Sequence, residues 1–362
     1  MTLQDLGWND FFAAGFAPFT PEGLLPARVL AQIGVYRVAA ADPGQPDQVS
    51  ELLADTTGKF RRQSDSGGLP AVGDWVAVRL PGEEGEQGVI QAVLPRKSKF
   101  SRKAAGHRVA EQVVAANIDT VLLVSGLDGD FNPRRIERYL IAAWDSGAQP
   151  VLVLNKADRA EDAAALLAEV EAIALGVPVH LVSARSGEGF DELRQYLRPG
   201  ETLGLLGSSG VGKSTLINRL LGREAQKTSE VRESDDRGRH TTTHRELFLA
   251  PQGGLILDTP GMREVQLWEG EGLATAFADV EELAAGCRFS DCRHAGEPGC
   301  AIEAALASGE LAPERLESYR KLQAELRQIQ IRQDELLKAR EKQRWKVIHK
   351  AQRSHYKTKR GD

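Results

Sequence analysis

A glycine-rich stretch at residues 207–214 has the residue types and spacing of a phosphate-binding loop. It reads Gly-Ser-Ser-Gly-Val-Gly-Lys-Ser and lies between a predicted strand, Thr202 to Leu206, and a predicted helix, Ser214 to Leu221. Glycines let backbone N–H groups turn toward a phosphate, and the helix N-terminus adds a favourable dipole. We predict that Lys213 reaches the β- and γ-phosphates and that Ser214 binds Mg²⁺. The predicted nucleotide contacts here are Gly207, Ser208, Ser209, Gly210, Val211, Gly212, Lys213, Ser214 and Thr215.

A second motif, Asn155-Lys156-Ala157-Asp158, indicates which base is bound. It ends the predicted strand Pro150 to Leu154, where ligands bind in open α/β sheets. A carboxylate at Asp158 can accept hydrogen bonds from guanine N1–H and the 2-amino group. Adenine offers neither donor, so the desolvated carboxylate would cost roughly 1–3 kcal/mol or more. An ordinary turn at the start of a helix is the alternative, and Ser183-Ala184, which ends the next predicted strand, supports guanine over it.

A third motif, Asp258-Thr259-Pro260-Gly261, follows a short predicted strand. Asp258 is predicted to hold Mg²⁺ through water, and the Gly261 N–H to meet the γ-phosphate. Many GTP hydrolases place a water-orienting Gln at the next position, but this chain has Met262, and a thioether cannot orient water by hydrogen bonding. We therefore expect slow intrinsic hydrolysis, with the missing group supplied from elsewhere.

His240 is the candidate within this chain for the missing catalytic group. It precedes three threonines, one of which is expected to bind Mg²⁺ when GTP is present, with Thr242 and Thr243 favoured. A loop histidine or a histidine that contacts RNA is the alternative for this position.

All three cysteines of the chain lie in one short segment, together with a histidine. The pattern is Cys287-x₄-Cys292-x-His294-x₅-Cys300, with three thiolates and one imidazole. Four such ligands and no open position are typical of a structural tetrahedral zinc site. Three unconnected reduced thiols are the alternative. A finger that reads DNA bases is disfavoured because its ligand spacing differs.

Two regions with different patterns of predicted secondary structure must position these motifs. From about residue 25 to 100 the chain reads as strands separated by Pro-Gly and Gly-Gly turns, which predicts a small β-barrel of the oligonucleotide-binding type or a small sandwich. From about 118, strands alternate with helices, which predicts a parallel sheet with crossover helices. The predicted β-region strands are Arg28 to Ala39, Val49 to Arg61, Ala71 to Leu80 and Gln87 to Leu94. The predicted α/β elements are strands at Ile118 to Gly126, Pro150 to Leu154, Pro178 to Ser183 and Thr202 to Leu206, and helices at Pro133 to Trp144, Glu161 to Ala174 and Phe190 to Leu197.

Charge and composition describe a cytoplasmic chain with local basic segments. Of 362 residues, 41% are hydrophobic, and no apolar run approaches the roughly 20 residues of a spanning helix. Neither Lys nor Arg occurs in the first twenty residues, so the basic flank of a signal peptide is missing. The net charge of −5 conceals basic blocks at Arg96 to Arg108 and Lys342 to Arg360, neither of which contains an acid. These blocks favour docking on phosphates, with solvated surfaces as the alternative.

The order of the motifs resembles a particular family. The guanine-reading segments precede the phosphate loop, as in circularly permuted GTPases. With the barrel-like front, the segment at 238–243 and the cysteine cluster, the chain resembles the ribosome small subunit-dependent GTPase A family over about residues 25–340. The resemblance implies a multidomain α/β protein. Its expected parts are an N-terminal extension (1–24), an oligonucleotide-binding barrel (25–105), a permuted P-loop GTPase domain (106–270) and a zinc-binding domain with a long helix and a basic tail (271–362).

The function that the resemblance implies is hydrolysis of GTP on the small ribosomal subunit. The chain would bind the 30S subunit and its 16S rRNA, and would couple hydrolysis to late maturation and to its own release. GTP or GDP with Mg²⁺ and one structural Zn²⁺ are the expected ligands, and we expect a monomer that does not bind membranes. A nucleotide-gated RNA-binding module in which hydrolysis is incidental is the alternative. A P-loop kinase or ATPase is disfavoured by Asp158.

Overall fold

The computed structural model describes residues 1–63, 66–81, 87–103, 111–223, 245–258 and 271–331. These residues form two compact units, one that extends to Glu282 and one that begins at Leu283. Among the helices of these ranges, none has the length and apolar character that a membrane crossing requires.

The strands of the described ranges lie in the first unit. Their bounds are β1 (Leu25–Ile33), β2 (Val35–Asp42), β3 (Gln45–Thr56), β4 (Trp75–Arg79), β5 (Gly88–Val93), β6 (Lys99–Lys103), β7 (Glu111–Ala116), β8 (Thr120–Gly126), β9 (Gln149–Asn155), β10 (Val179–Val182), β11 (Thr202–Gly207), β12 (Arg245–Leu249) and β13 (Leu255–Asp258).

Helices connect these strands and build most of the second unit. The α-helices are α1 (Asp10–Phe16), α2 (Gly58–Gln63), α3 (Pro133–Ser146), α4 (Ala163–Ile173), α5 (Lys213–Leu221), α6 (Glu271–Ala276), α7 (Ala278–Ala285) and α8 (Ala301–Ser308). Short 3₁₀ helices occupy Ala17–Glu22, Ser66–Gly68, Ala157–Arg159 and Asp191–Tyr196. Residues 313–331 form a further helix, whose buried face carries Leu316, Tyr319, Leu322 and Leu326, as the spacing of three and four residues predicts.

The front of the first unit is a closed five-stranded barrel, so the sandwich alternative is wrong. The strand order is β1-β2-β3-β5-β4, and β4 pairs back onto β1. All of these pairings are antiparallel except β3–β5, which is parallel. The barrel interior holds small and branched side chains, among them Ala27, Val29, Val38, Val76 and Ile90.

Two predicted strands of this region are corrected by the structure. The strand predicted at Arg28 to Ala39 is two strands, because Gly34 has a φ of +77° and turns the chain between β1 and β2. The strand predicted at Val49 to Arg61 ends at Thr56. There the Thr57 hydroxyl accepts the Phe60 N–H at 3.1 Å and caps α2, a signal that the apolar pattern concealed.

The α/β region is a sheet of the predicted alternating kind. Its strand order is β10-β9-β8-β11-β13-β12, and every strand is parallel to its neighbours except β12. The helix predicted at Phe190 to Leu197 is a 3₁₀ helix, Asp191–Tyr196. The antiparallel pairing of β12 with β1 makes this sheet continuous with the barrel, and Arg37 of β2 forms an ion pair with Glu246 of β12.

Residues 1–24 pack against the barrel by means of aromatic side chains. The rings of Trp8 and Trp75 lie 4.7 Å apart between centroids, and Phe12 lies 5.8 Å from Trp75. Phe12 is 2% exposed and Trp75 is fully buried, so the segment supplies part of the core of the first unit. The division of the chain at residues 24, 105 and 270 stays a prediction.

Replacing Phe12 by Ala tests whether residues 1–24 contribute to the stability of the first unit. Loss of this buried ring should lower the free energy of unfolding by about 3–5 kcal/mol. Its neighbour Phe11, which is 44% exposed, is the matched control, and Phe11→Ala should cost less than about 1 kcal/mol. Urea denaturation followed by tryptophan fluorescence measures both. Equal costs for the two variants would contradict the packing described here.

Candidate functional site

The predicted site residues gather at one edge of the α/β sheet. Because β8, β9, β10, β11 and β13 are parallel, their carboxyl ends lie along the same edge. The residues that end these strands are Gly126, Asn155, Val182, Gly207 and Asp258. The motif residues follow or include these positions, so the sheet itself brings distant parts of the chain together.

Asn155 links the proposed base site to the proposed phosphate site. Its Nδ2 donates to the carbonyl oxygen of Val211 in the glycine-rich loop at 2.6 Å. Its Oδ1 accepts the N–H of Ala184 at 2.9 Å. The side chain is only 1% exposed, so both hydrogen bonds lie in a region of low dielectric, where leaving either group unpaired is costly. One carboxamide therefore holds three of the predicted segments in register.

The glycine-rich loop connects β11 to α5 and turns sharply at its glycines. Gly212 has a φ of +97° and lies against the Asn155 amide nitrogen, so a methyl group at this position would overlap that atom. The Lys213 ammonium lies inside the loop and donates to the carbonyl oxygens of Gly207 at 2.7 Å and Ser208 at 2.5 Å. Val211 is buried and anchors the loop in the core, whereas Ser209 is exposed.

Ser214 and Thr215 lie in the first turn of α5, directly after Lys213, and both are half-buried. Their hydroxyls are thus carried by the helix whose N-terminus faces the loop. The dipole of this helix favours an anion at the loop.

The Asn-Lys-Ala-Asp turn contains a backbone conformation that residues other than glycine rarely adopt. Lys156 has a φ of +64°, and its ammonium is paired with Asp128 at 2.5 Å. Partial burial raises the pKa of Asp128, but the hydrogen bond and the charge of Lys156 outweigh burial and hold that pKa below its ordinary value. Ala157 and Asp158 follow in a 3₁₀ turn, where Asp158 is exposed at the surface. The Lys156–Asp128 ion pair therefore holds the turn in place, and Asp158 stays exposed, where a base could reach it.

The loop after β10 is tied down by hydrogen bonds within itself. Ser183 is fully buried, and its hydroxyl accepts the Ser186 N–H at 3.2 Å. Its carbonyl accepts the Gly187 N–H at 2.8 Å. Sequence reasoning missed Arg219 of α5, which donates to the carbonyl oxygens of Ala184 and Arg185. This contact joins residues about 35 positions apart, and no local pattern marks it.

Asp258 ends β13 beside the phosphate loop. Burial raises the pKa of its carboxyl to about 6; the charge of Lys213 lowers that pKa and the charge of Glu246 raises it. Because the charge of Lys213 acts on this carboxyl, Asp258 of the third motif lies near the lysine of the first motif. A carboxylate is the kind of oxygen ligand that Mg²⁺ prefers in proteins.

Several predicted residues lie outside the described ranges. These are His240, Thr242 and Thr243 in 224–244, Gly261 in 259–270, and the basic tail from Lys342. Their predicted roles stay predictions.

The three cysteines and His294 form a cluster in the second unit. Their ligand atoms all lie within 4.8 Å of one another. The His294 Nδ1 is 3.5 Å from the Sγ atoms of both Cys287 and Cys300, and these two sulfurs are 4.0 Å apart. A tetrahedral zinc ion with bonds of about 2.3 Å to sulfur and about 2.0 Å to nitrogen places its ligands about 3.5–3.8 Å apart. The donor set and its spacing therefore fit a tetrahedral metal ion.

Backbone groups and one carboxylate support this cluster. Desolvation opposes ionisation of Cys287, but N–H groups of Ala301 and Ile302 hold the pKa of its thiol below the ordinary value. Glu297 accepts the backbone N–H groups of Arg293 at 3.1 Å and Ala295 at 2.7 Å and lies 3.8 Å from the Cys292 sulfur. Sequence reasoning missed Glu297, although its position among the ligands was visible.

Comparison with known proteins finds relatives along almost the whole chain. The RsgA GTPase family model matches residues 93–268. A small ribosomal subunit biogenesis GTPase RsgA of Opitutus terrae is 50% identical, with 98% of each chain covered. A protein of the same description from Syntrophotalea carbinolica is 45% identical, with 96% of each chain covered.

Solved structures have the same architecture. The crystal structure of YjeQ from Thermotoga maritima superposes with a TM-score of 0.61 at 31% identity, covering 84% of this chain and 98% of that one. That of YloQ, described as a circularly permuted GTPase, has a TM-score of 0.58 and covers 84% of this chain and 96% of that one. Its identity of 24% makes this second likeness one of fold alone. The predicted barrel and circularly permuted GTPase fold are confirmed.

A methyl group at Gly212 should weaken nucleotide binding strongly, because it would overlap Asn155 and strain a backbone at positive φ. Gly212→Ala should weaken GDP binding by about 100-fold or more, or about 2.7 kcal/mol. Gly222 ends the same helix at a φ of +64° with nothing within 4 Å, so Gly222→Ala is the matched control and should keep its affinity within about twofold. Titration calorimetry with Mg²⁺ measures both. Unchanged affinity in Gly212→Ala would remove this loop from the site.

Proposed function

This chain is a GTP hydrolase that belongs to the RsgA GTPase family, and we propose that it hydrolyses GTP while bound to the small ribosomal subunit. In this proposal hydrolysis accompanies a late step of subunit maturation and triggers release of the protein. The relatives from Opitutus terrae and Syntrophotalea carbinolica, which are named small ribosomal subunit biogenesis GTPases, support a role on this subunit.

The observation that carries the proposal is the pair of hydrogen bonds made by Asn155. Because this side chain holds Val211 and Ala184 together, one nucleotide can contact the base-reading segments and the phosphate loop at once. In the proposed complex the exposed Asp158 accepts the N1–H and 2-amino hydrogens of guanine. The buried Ser183-Ala184 turn borders the base on the other side. Adenine would leave the carboxylate without donors, which favours GTP over ATP.

Phosphate binding and hydrolysis are assigned to the loop and its neighbours. Lys213 would turn from the loop carbonyls to the β- and γ-phosphates, and the backbone N–H groups of 207–214 would surround the β-phosphate. Ser214 would bind Mg²⁺ and Asp258 would hold it through water, with a threonine of the 224–244 segment as a further ligand. A bound Mg²⁺ neutralises phosphate charge and orients the phosphates. Gly261 would contact the γ-phosphate through its N–H.

The attacking water lacks an orienting side chain at Met262. A thioether neither donates nor accepts strongly, so we propose that intrinsic hydrolysis is slow and that His240 or a group from the subunit positions the water. An ordered group that hydrogen-bonds the developing charge is worth about 100- to 1,000-fold in rate. Docking on the subunit would hold this group beside the attacking water. The complete site would then exist only in the bound protein.

The cysteine cluster is proposed to hold one structural Zn²⁺. All four donors are committed and none is left open for a substrate, so the ion would shape the second unit without taking part in hydrolysis. Zinc would also make folding of this unit depend on metal, because three neighbouring thiols would repel one another once ionised.

The basic segments of the chain are the proposed contacts with its RNA partner. Arg96 is paired with the buried Asp74, so it is the other basic side chains of 97–108, with those of 342–360, that are proposed to contact 16S rRNA phosphates. We propose a monomer in the cytoplasm, where its subunit partner assembles.

Turnover with and without ribosomal subunits tests the proposal. Phosphate release from GTP should be slow for the protein alone and should rise at least about 100-fold with purified 30S subunits, because the subunit completes the site. Large subunits at the same RNA concentration are the control and should give less than about a tenth of that stimulation. Equal turnover in all three samples would instead support a nucleotide-gated RNA-binding module with incidental hydrolysis.

Metal analysis tests the zinc assignment. Protein purified without chelator should contain about one zinc ion per chain, and His294→Ala should lose most of it, since three ligands with an open position bind less tightly. His180→Ala, which changes a histidine of the first unit, is the control and should keep its zinc. Retention of full zinc content in His294→Ala would contradict the assignment.

A further inference from the structure

Arg219 connects the phosphate-binding helix to the base-reading loop. It lies seven residues after Gly212 on α5, and its Nε donates to the Ala184 carbonyl oxygen at 2.6 Å. Its Nη2 donates to the Arg185 carbonyl oxygen at 2.6 Å. Two neighbouring carbonyls of the loop are thus held by one planar cation, and hydrogen bonds from a charged donor are the stronger kind.

The loop is shaped around this guanidinium. Gly187 has a φ of +96°, and a side chain there would begin 2.6 Å from Nη1 of Arg219. The Phe190 ring lies below, with its centroid 5.9 Å from the guanidinium carbon of Arg219. Arg194 is the second cation over this ring, at 5.6 Å, but it extends into solvent beside Asp191. A glycine, an aromatic ring and two carbonyls therefore converge on Arg219.

These contacts fix the direction of the loop's peptide groups. A trans peptide points its N–H opposite to its C=O, so holding the carbonyls of Ala184 and Arg185 also orients the N–H groups of Arg185 and Ser186. Asn155 already holds the same loop through the Ala184 N–H. The two attachments come from different elements, because Asn155 of β9 holds the N–H of Ala184 whereas Arg219 of α5 holds the carbonyls of Ala184 and Arg185. The loop therefore cannot pivot about Asn155 alone.

We propose that Arg219 is a positioning residue for guanine recognition. It holds the 183–190 loop against the helix that carries the phosphate site, so that base and phosphates meet one preorganised surface. Rigidity of this kind strengthens binding by removing the ordering cost that a mobile loop would add. The inference rests on the proposed guanine site, and it adds a residue that touches neither base nor phosphate.

The test compares a ligand that carries the base with one that does not. Affinities for GDP, ADP and pyrophosphate, each with Mg²⁺, are measured by calorimetry for the full chain and its Arg219→Ala, Arg219→Lys and Arg194→Ala variants. Arg219→Ala should weaken GDP binding about tenfold and leave pyrophosphate binding within about twofold, because the phosphate loop keeps its own contacts. Arg219→Lys should lose about threefold, since lysine keeps the charge but lacks the planar guanidinium whose Nε and Nη2 meet the two carbonyls at once. Arg194 also lies over the Phe190 ring but is not the residue that holds the two loop carbonyls, so Arg194→Ala is the control and should bind GDP as tightly as the unmodified chain.

Turnover adds a readout that a general loss of structure would not give. Arg219→Ala should raise KM for GTP about tenfold with kcat within about twofold, because the reacting phosphates are bound as before. Thermal unfolding of each variant records its stability separately.

Three results would overturn the inference. They are unchanged GDP affinity in both Arg219 variants, equal losses for GDP and pyrophosphate, and an Arg194→Ala loss as large as that of Arg219→Ala. An unmodified chain that binds GDP and ADP equally would remove the proposed guanine site as well. If the unmodified chain prefers GDP to ADP but the Arg219 variants bind GDP as tightly as it does, only the positioning role of Arg219 is removed.

Discussion

The site depends on one buried carboxamide that bridges two distant stretches of chain. Asn155 ends β9, and it bonds to a carbonyl 56 residues later and to an amide 29 residues later. Neither partner can be lost cheaply, since water does not reach the side chain. Gly212 is required because the loop approaches this amide too closely for any Cβ. The register of the proposed base site and the proposed phosphate site is therefore set by a contact that no nucleotide supplies.

Circular permutation leaves this contact intact because strand neighbours, rather than chain order, build the sheet. β8 and β13 flank β11 although they come from opposite ends of the region. At its edge this sheet is joined to the barrel. β12 pairs with β1 of the barrel, and the Arg37–Glu246 ion pair reinforces the junction. Since β12 is also paired with the strand that ends at Asp258, the barrel and the strands that carry the proposed phosphate site are parts of one hydrogen-bonded sheet.

The sequence predicted the features that depend on local pattern and failed on those that depend on distant packing. The glycine-rich loop, the Asn-Lys-Ala-Asp turn and the cysteine spacing each carry their chemistry within a few residues, so all were visible. The β1–β2 turn at Gly34 was missed because a single glycine between two apolar runs resembles one long strand. Arg219 and the packing of Phe12 on Trp75 were missed because their partners lie about 35 and 60 residues away, where periodicity carries no information.

The most direct measurement is a structure of the chain crystallised with GDP and Mg²⁺. The account predicts guanine against the Asp158 carboxylate and the 183–184 turn, with both phosphates inside the 207–214 loop. The Asn155 carboxamide should lie between them, with its two bonds unchanged. A nucleotide bound elsewhere, or one whose base points away from Asp158 while its phosphates occupy the loop, would contradict the claim that these segments form a single guanine nucleotide site.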